Sequence, residues 1–181
     1  MSAEPGYLGI AFSSLSDQAI ETLHLGQPHA LLVEVPTSGG PADKAGLLPG
    51  DVVLELNGAA VTTNQSFTAA LRKLGMGTDI RLALWRRGDR LVLTAKLGGP
   101  ADVQRLAADP QVKAEKPERE IAAYESILKI FTRDRFPQEW AKWQSNLANA
   151  LSDRVPGDRA DNLEMAIAGY EALRPSVIFR R

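Results

Sequence analysis

The spacing of apolar residues changes about halfway along the chain, and this change constrains the fold more than any other feature. Up to about residue 98, apolar and polar residues alternate in short runs separated by glycine-containing turns. Alternation with a period of about two residues is typical of β-strands and hairpins. From about Glu118 onward, apolar residues recur three and four positions apart, as in amphipathic helices. The sequence therefore predicts a β-rich half followed by a helical half.

Three segments of the first half carry the alternating pattern, at residues 30–37, 51–58 and 79–97. The third segment contains two strands around a turn at Arg87-Gly88-Asp89, which is typical of a hairpin. Two short helices are expected between the strands. The first begins at Pro41 and ends at Gly46, because proline is common at the first position of a helix and glycine is common at its end. The second is capped by Thr62 or Thr63. Its apolar face consists of Phe67, Ala70, Leu71 and Leu74.

The composition excludes several classes of function. The 181 residues contain no cysteine and two histidines, so neither a thiolate nor a histidine-rich metal site is expected, and no cofactor is implied. With 21 basic and 22 acidic residues, the chain lacks the basic surface that favours nucleic acid or anionic membrane. No apolar run approaches the roughly 20 residues that span a bilayer. Because no signal peptide is recognisable at the N-terminus, a cytoplasmic location is expected.

The helical half begins after an expected linker at residues 99–117, which is rich in alanine, proline and glycine, with a short helix at residues 103–108 as an alternative within it. Three amphipathic helices are predicted within residues 118–174, and a tail follows at 175–181. The segment "IAAYE" at 121–125 returns as "IAGYE" at 167–171, which indicates stacked helical units. The expected buried stripe of the third helix consists of Leu163, Ala166, Ile167 and Tyr170.

The segment "GGPADKAGLLPGDVVLELNGAAV" at residues 39–61 resembles a PDZ domain of the bacterial HtrA type. The matching order is Pro-Ala, Ala-Gly-Leu, Pro-Gly-Asp, an apolar strand, Asn-Gly and a valine. The resemblance covers about residues 5–98, from "GYLGI" to "GDRLVLTAKLG". It implies an α+β PDZ domain, which is a small β-barrel or sandwich with two helices.

The resemblance also implies a peptide-binding groove. Backbone N–H groups of Leu8, Gly9 and Ile10 would face a ligand carboxylate, and residues 10–12 would form the edge strand that pairs with an extended peptide. A hydrophobic terminal side chain is expected. Many PDZ domains carry a basic residue shortly before this loop, whereas this chain has Glu4-Pro5-Gly6, which leaves open an internal segment as ligand. The implied peptide-binding residues are Tyr7, Leu8, Gly9, Ile10, Ala11, Phe12, Phe67, Ala70 and Leu71.

The segment at residues 136–173 resembles tetratricopeptide repeats, of a long-loop kind found in bacterial proteins that often precede a caspase-like CHAT peptidase. The matching features are Phe136-Pro137, a tryptophan, the "NLANA" core and "GDRADNLEMAIAGYE". The resemblance implies an all-α repeat segment after the PDZ domain. No residue matches a peptidase active site, so no catalytic residue is implied.

These resemblances suggest a non-enzymatic adaptor that binds a protein or peptide with a hydrophobic C-terminus and docks a partner through its helices, with self-association as another use of the repeat. A second hypothesis is a regulatory or substrate-recruiting part of a bacterial protease system, trypsin-like or CHAT-like. A third has the two domains packed rigidly against each other and the groove filled by the chain itself, either by residues 101–110 or by the tail.

Overall fold

The computed structural model describes residues 4–154 and 159–172. Its first half contains one antiparallel sheet, as the alternating runs predict. The strands follow the order β1-β2-β3-β5-β6, and the short β4 pairs with β3, so β1 lies at one edge of the sheet. The strands are β1 (Ile10–Ser14), β2 (Leu31–Pro36), β3 (Val52–Leu56), β4 (Ala59–Ala60), β5 (Asp79–Arg86) and β6 (Asp89–Lys96).

Three helices accompany the sheet: α1 (Asp17–Thr22), α2 (Pro41–Lys44) and α3 (Asn64–Leu74). The positions of α2 and α3 confirm the prediction. Thr63 caps α3 with a capping box, and a glycine with positive φ ends it. The sequence pattern did not predict α1, which Ser16 begins by accepting a hydrogen bond from the Ala19 N–H at 3.2 Å.

The segment expected to be a linker is helical, and the alternative of a short helix at residues 103–108 agrees with the structure. It contains α4 (Pro100–Ala108) and the first turns of α5 (Pro110–Leu128), so α5 begins earlier than the apolar spacing predicts. Both helices carry proline at their first position, where the missing N–H costs no intrahelical bond. Asp109 caps α5 by accepting from the Gln111 N–H at 2.8 Å. Pro100 and Pro110 are therefore helix starts, whereas Pro117 lies inside α5.

Two longer helices follow, α6 (Pro137–Asp153) and α7 (Arg159–Ala172). In α7, Ala166 is buried as expected, but Ile167 is 47% exposed, so the prediction that it belongs to the buried stripe is wrong. Ala166 packs in a cluster with residues of α5 and α6, and Ile167 lies outside that cluster. The side chains of Leu163 and Tyr170 and the tail at 175–181 lie outside the described residues.

The apolar residues form two main clusters on opposite faces of the sheet. The first lies between the sheet and α3 and includes Leu8, Phe67 and Leu71. The second joins the other face of the sheet to the helical half, where Trp143 of α6 is 1% exposed. Its sheet members are Leu32, Val52 and Leu54, and its helical members are Ile127, Phe131, Phe136 and Trp143. The helices therefore share a hydrophobic core with the sheet.

Polar contacts support the same packing. Arg119 of α5 donates to the Asp43 carboxylate at 2.7 Å and to the Pro36 carbonyl at 3.2 Å. Glu139 of α6 accepts from the backbone N–H of Ser16 at 3.2 Å. Among the described helices, none is long and apolar enough to cross a membrane.

Candidate functional site

The loop before β1 is anchored through its carbonyl groups. The Leu8 carbonyl accepts from the Ala42 N–H at 2.9 Å, and the Gly9 carbonyl accepts from the Thr37 N–H at 2.8 Å. Tyr7 forms an isolated antiparallel bridge with Gly98. These bonds fix the loop against the start of α2 and against the last residues of the first half.

The N–H groups of the same loop have a different environment. Among the described residues, no backbone carbonyl accepts a hydrogen bond from the N–H of Leu8 or of Gly9. Leu8 is only 2% exposed, and an unpaired backbone N–H in a buried residue is costly. Successive amides in such a loop can bind an anion without a charged side chain.

Two glycines shape this loop for different reasons. Gly9 has a φ of +76°, which side-chain-bearing residues rarely adopt. Gly6 lies close to another segment of backbone, because a Cβ atom at Gly6 would clash with the Leu71 carbonyl oxygen. Gly6 thus brings the loop against the end of α3, and Gly9 turns the chain into β1.

The backbone of β1 presents hydrogen-bonding groups at the open edge of the sheet. Phe12 lies opposite Val33 of β2. The N–H and C=O of Val33 bond to Asp51 and Gly50, on the side away from β1. Phe12 and Val33 are therefore a non-hydrogen-bonded pair, and the N–H and C=O of Phe12 point away from β2. An extended chain beside β1 has these groups to pair with.

Helix α3 forms the opposite wall and contacts β1 directly. The rings of Phe12 and Phe67 meet edge to face with centroids 4.9 Å apart, and Phe67 is 3% exposed. Asn64, at the first position of α3, donates from Nδ2 to the Phe12 carbonyl at 3.0 Å. The space between β1 and α3 is therefore closed at this level by two rings and one hydrogen bond.

The structure brings together most residues that the sequence assigns to the groove. Leu8, Phe67 and Leu71 are buried in one cluster, and Ile10, Phe12 and Ala70 pack against it. Tyr7 is half-buried at the start of the loop, and Gly9 is buried within the loop. Ala11 is exposed and belongs to the opposite face of β1, where the next alternate residue, Ser13, accepts from Lys142 of α6 at 2.5 Å.

Sequence reasoning missed Asn64, which contacts the edge strand across the groove. No local pattern marks it, because a polar residue in the first turn of a helix is ordinary and its partner lies 52 residues away. The structure also does not place residues 101–110 in the groove, where the third hypothesis puts them. Residues 100–108 form α4, in which the Leu106 side chain lies over Gly39 and Gly40.

A second cleft lies on the opposite face of β1, between the sheet and α5. Tyr124 of α5 lies within it, near the carboxylates of Glu34 and Glu120. Burial, together with the charges of Glu120 and Glu34, raises the pKa of the Tyr124 hydroxyl. In the part of the chain that the structure describes, no three acidic or histidine side chains are grouped closely enough to hold a metal ion.

Comparison with known proteins identifies the fold of the first half. The PDZ domain family model matches residues 6–97, slightly more than half of the chain. Three similar curated proteins are named as probable periplasmic serine endoproteases, DegP-like. The one from Hahella chejuensis is 27% identical over 86% of this chain, and the one from Rhizobium meliloti is 29% identical over 69%. The one from Pseudomonas fulva is 33% identical over 54%.

The chain spans a minor part of these relatives, 32% of the Hahella protein and 25% of the Rhizobium protein. Among solved structures, a variant of the HtrA-type protease AlgW, determined with a decapeptide, is 30% identical with a TM-score of 0.50. The match covers 54% of this chain and 31% of that protein. The tetratricopeptide-like repeat stays a prediction, since helices follow the sheet but nothing identifies them as that repeat.

The expected cytoplasmic location is wrong, because the relatives are periplasmic proteins and point to the periplasm. The expectation relied on the lack of a recognisable signal peptide, and that absence carries no information on compartment when a chain spans a third of its relatives. The motif order, the loop geometry, the edge strand and the family match all lead to one conclusion. The chain belongs to the PDZ domain family, and its PDZ domain is of the HtrA/DegP type.

Proposed function

We propose that the chain is a non-enzymatic peptide-binding module whose groove, between β1 and α3, binds a hydrophobic C-terminus or an extended peptide. The observation that carries this proposal is the pair of N–H groups of Leu8 and Gly9 beside the open edge of β1. A peptide that pairs with β1 places its terminal carboxylate at these amides. The carboxylate then accepts the hydrogen bonds that the loop leaves unmade.

The terminal side chain of the peptide would lie among apolar residues. Leu8 and Leu71 are buried, and Ile10 packs beside them. Because the rings of Phe12 and Phe67 are in contact, a side chain that enters at that level has to displace the Phe12 ring. An aliphatic or aromatic terminal residue replaces that contact with another apolar one.

Titration with a peptide tests the proposal directly. We expect a decapeptide ending in phenylalanine with a free carboxylate to shift the amide NMR signals of residues 8–12. The same peptide with an amidated C-terminus should bind at least about tenfold more weakly, because hydrogen bonds to a charged group contribute about 1.5–3 kcal/mol. Unchanged signals at residues 8–12 with both peptides would contradict the proposal.

Asn64 supplies a second test, because it occupies an acceptor that an added strand needs. In Asn64→Ala the Phe12 carbonyl is freed, and we expect the affinity for the free-carboxylate peptide to rise by about fivefold, equivalent to about 1 kcal/mol. Isothermal titration calorimetry measures this change. Gln65→Ala, at the next and equally exposed position of α3, is the matched control and should leave the affinity unchanged. A lower affinity in Asn64→Ala would contradict this expectation. It would mean that Asn64 holds β1 in the position that binds the peptide.

The helical half would serve as the docking element of an adaptor. Met165 and Ile167 on α7 are 50% and 47% exposed, which is a large exposure for apolar side chains. In a tetratricopeptide-like array, such residues contact the next helical unit. A partner, or a second copy of the chain, would cover them.

A second candidate function is a regulatory or substrate-recruiting part of a protease system. It is favoured by the names of the curated relatives, which are DegP-like serine endoproteases, and it agrees with a periplasmic location. The reading frame that encodes the chain, and the genes beside it, provide the test. A protease domain in either place supports this function, and the lack of one supports the simple adaptor.

A further inference from the structure

The cleft on the second face of β1 is large enough to hold a long side chain. It encloses about 420 Å³ between the sheet and α5. Its sheet wall includes Ala11, Glu34 and Val35, and its helical wall includes Lys116, Glu120 and Tyr124. Because Ala11 is exposed in this wall, the cleft is continuous with the open edge of β1.

The pleat of β1 determines which ligand residue reaches this cleft. The Phe12 side chain faces α3, whereas the Ser13 side chain bonds to Glu34 and to Lys142 on the helical side. Side chains of a paired strand alternate in the same way. If the terminal side chain of a bound peptide lies against α3, the penultimate side chain points to the opposite face, next to Ala11.

The charges around the cleft favour a cation. The carboxylates of Glu34 and Glu120 both lie near the half-buried Tyr124 hydroxyl. The Lys142 ammonium group, which donates to Ser13, also interacts with Glu34, so Glu120 is the carboxylate with less compensation from α6. Arg119 also lines the cleft, but its guanidinium group bonds to Asp43 at 2.7 Å. The Lys116 ammonium group lies 3.7 Å from Glu120, and its side chain is 70% exposed, so this pair is weak. A long basic side chain can lay its methylene groups on Ala11 and Val35 and bring its charge to the carboxylates.

We propose that the cleft between β1, β2 and α5 binds the penultimate side chain of the peptide and selects lysine or arginine there, with Glu34 and Glu120 as the residues that determine this preference. This inference rests on the proposed peptide-binding function. It makes α5 a second wall of the binding site, so that the helical half takes part in the choice of ligand.

Three decapeptides with the same terminal phenylalanine and with lysine, alanine or glutamate before it test the inference on the full chain. By calorimetry at low ionic strength, we expect the lysine peptide to bind about fivefold more tightly than the alanine peptide, and the glutamate peptide to bind more weakly than both. The advantage of lysine over alanine should fall by at least half in Glu34→Gln and in Glu120→Gln. It should be unchanged in Glu125→Gln, a control at an exposed position of the same helix.

The outcomes separate the inference from the proposed function. Equal affinities of the lysine and alanine peptides, with signals of residues 8–12 still shifted, overturn the inference and leave the groove proposal standing. Binding of none of the three peptides overturns both. A lysine preference that persists in both glutamine variants also overturns the inference, because the selecting charge then lies elsewhere. Far-UV circular dichroism of each variant shows whether the fold is retained.

Discussion

Trp143→Ala should lower the free energy of unfolding by about 4 kcal/mol, the usual cost of removing a large aromatic side chain from a core. Trp143 is 1% exposed and lies in the cluster that joins the helices to the sheet. Its ring stacks on Tyr124, with centroids 6.1 Å apart. Removal leaves a cavity between the two halves, so both should lose stability. Urea unfolding gives the free energy, and hydrogen exchange locates the loss.

Hydrogen exchange decides whether the halves are one cooperative unit. We expect the amides of Val52 in the sheet and of Ile127 in α5 to lose protection together in Trp143→Ala, since both residues belong to the same cluster. Trp143→Phe is the matched control. It keeps most of the ring volume and removes an indole N–H without a hydrogen-bond partner among the described residues, so its cost should be below about 1.5 kcal/mol. Loss of protection in α5 alone would contradict a shared core.

Asp51→Asn should lower the free energy of unfolding by about 2–3 kcal/mol, because it removes the buried charge of an ion pair while leaving the partly exposed guanidinium group in place. Asp51 is 1% exposed and accepts from the Leu48 N–H at 2.8 Å. Two nitrogens of Arg86 donate to its carboxylate, each at 2.6 Å. This hydrogen-bonded pairing raises the pKa of Arg86. The midpoint of urea unfolding measures the effect.

The control for Asp51→Asn is the same substitution in a more exposed pair. Asp43 and Arg119 lie 2.7 Å apart, but their side chains are about one-third exposed, so solvent screens the pair. Asp43→Asn should therefore cost less than about 1 kcal/mol. Equal losses in the two variants would mean that burial does not determine the strength of the Asp51 pair.

The strands and helices of the first half could be predicted from the sequence because their signals are local, whereas the PDZ fold was implied by a family resemblance. Alternating runs predict strands wherever they occur, and proline and glycine at the ends of α2 predict its limits. The same local signals misled at residues 99–117, where Pro100 and Pro110 suggested a linker. A proline alone does not show whether it begins a helix or lies in a linker. Only the helical turns that follow it distinguish the two.

The residues that form the candidate groove could be predicted from the sequence, but the contacts between them could not. The order of residues around Gly9 implies the loop, the edge strand and the apolar wall of α3. It does not reveal that the Phe12 and Phe67 rings touch, or that Asn64 bonds to the edge strand, because these contacts join residues 52 or more positions apart. The exposure of Ile167 escaped prediction for a similar reason, since it depends on which face of α7 meets the neighbouring helices.

The sequence by itself determined the class of the first half, the position of the loop before β1 and the helical character of the second half. Each depends on residues close together in the chain, through backbone preferences and the period of apolar residues. Only the tertiary structure decided that α5 and α6 cover the second face of the sheet. That packing depends on burying Trp143 and its neighbours against strands some 90 residues earlier, and no local preference encodes it. The same packing places Tyr124 and Glu120 beside the open edge of β1.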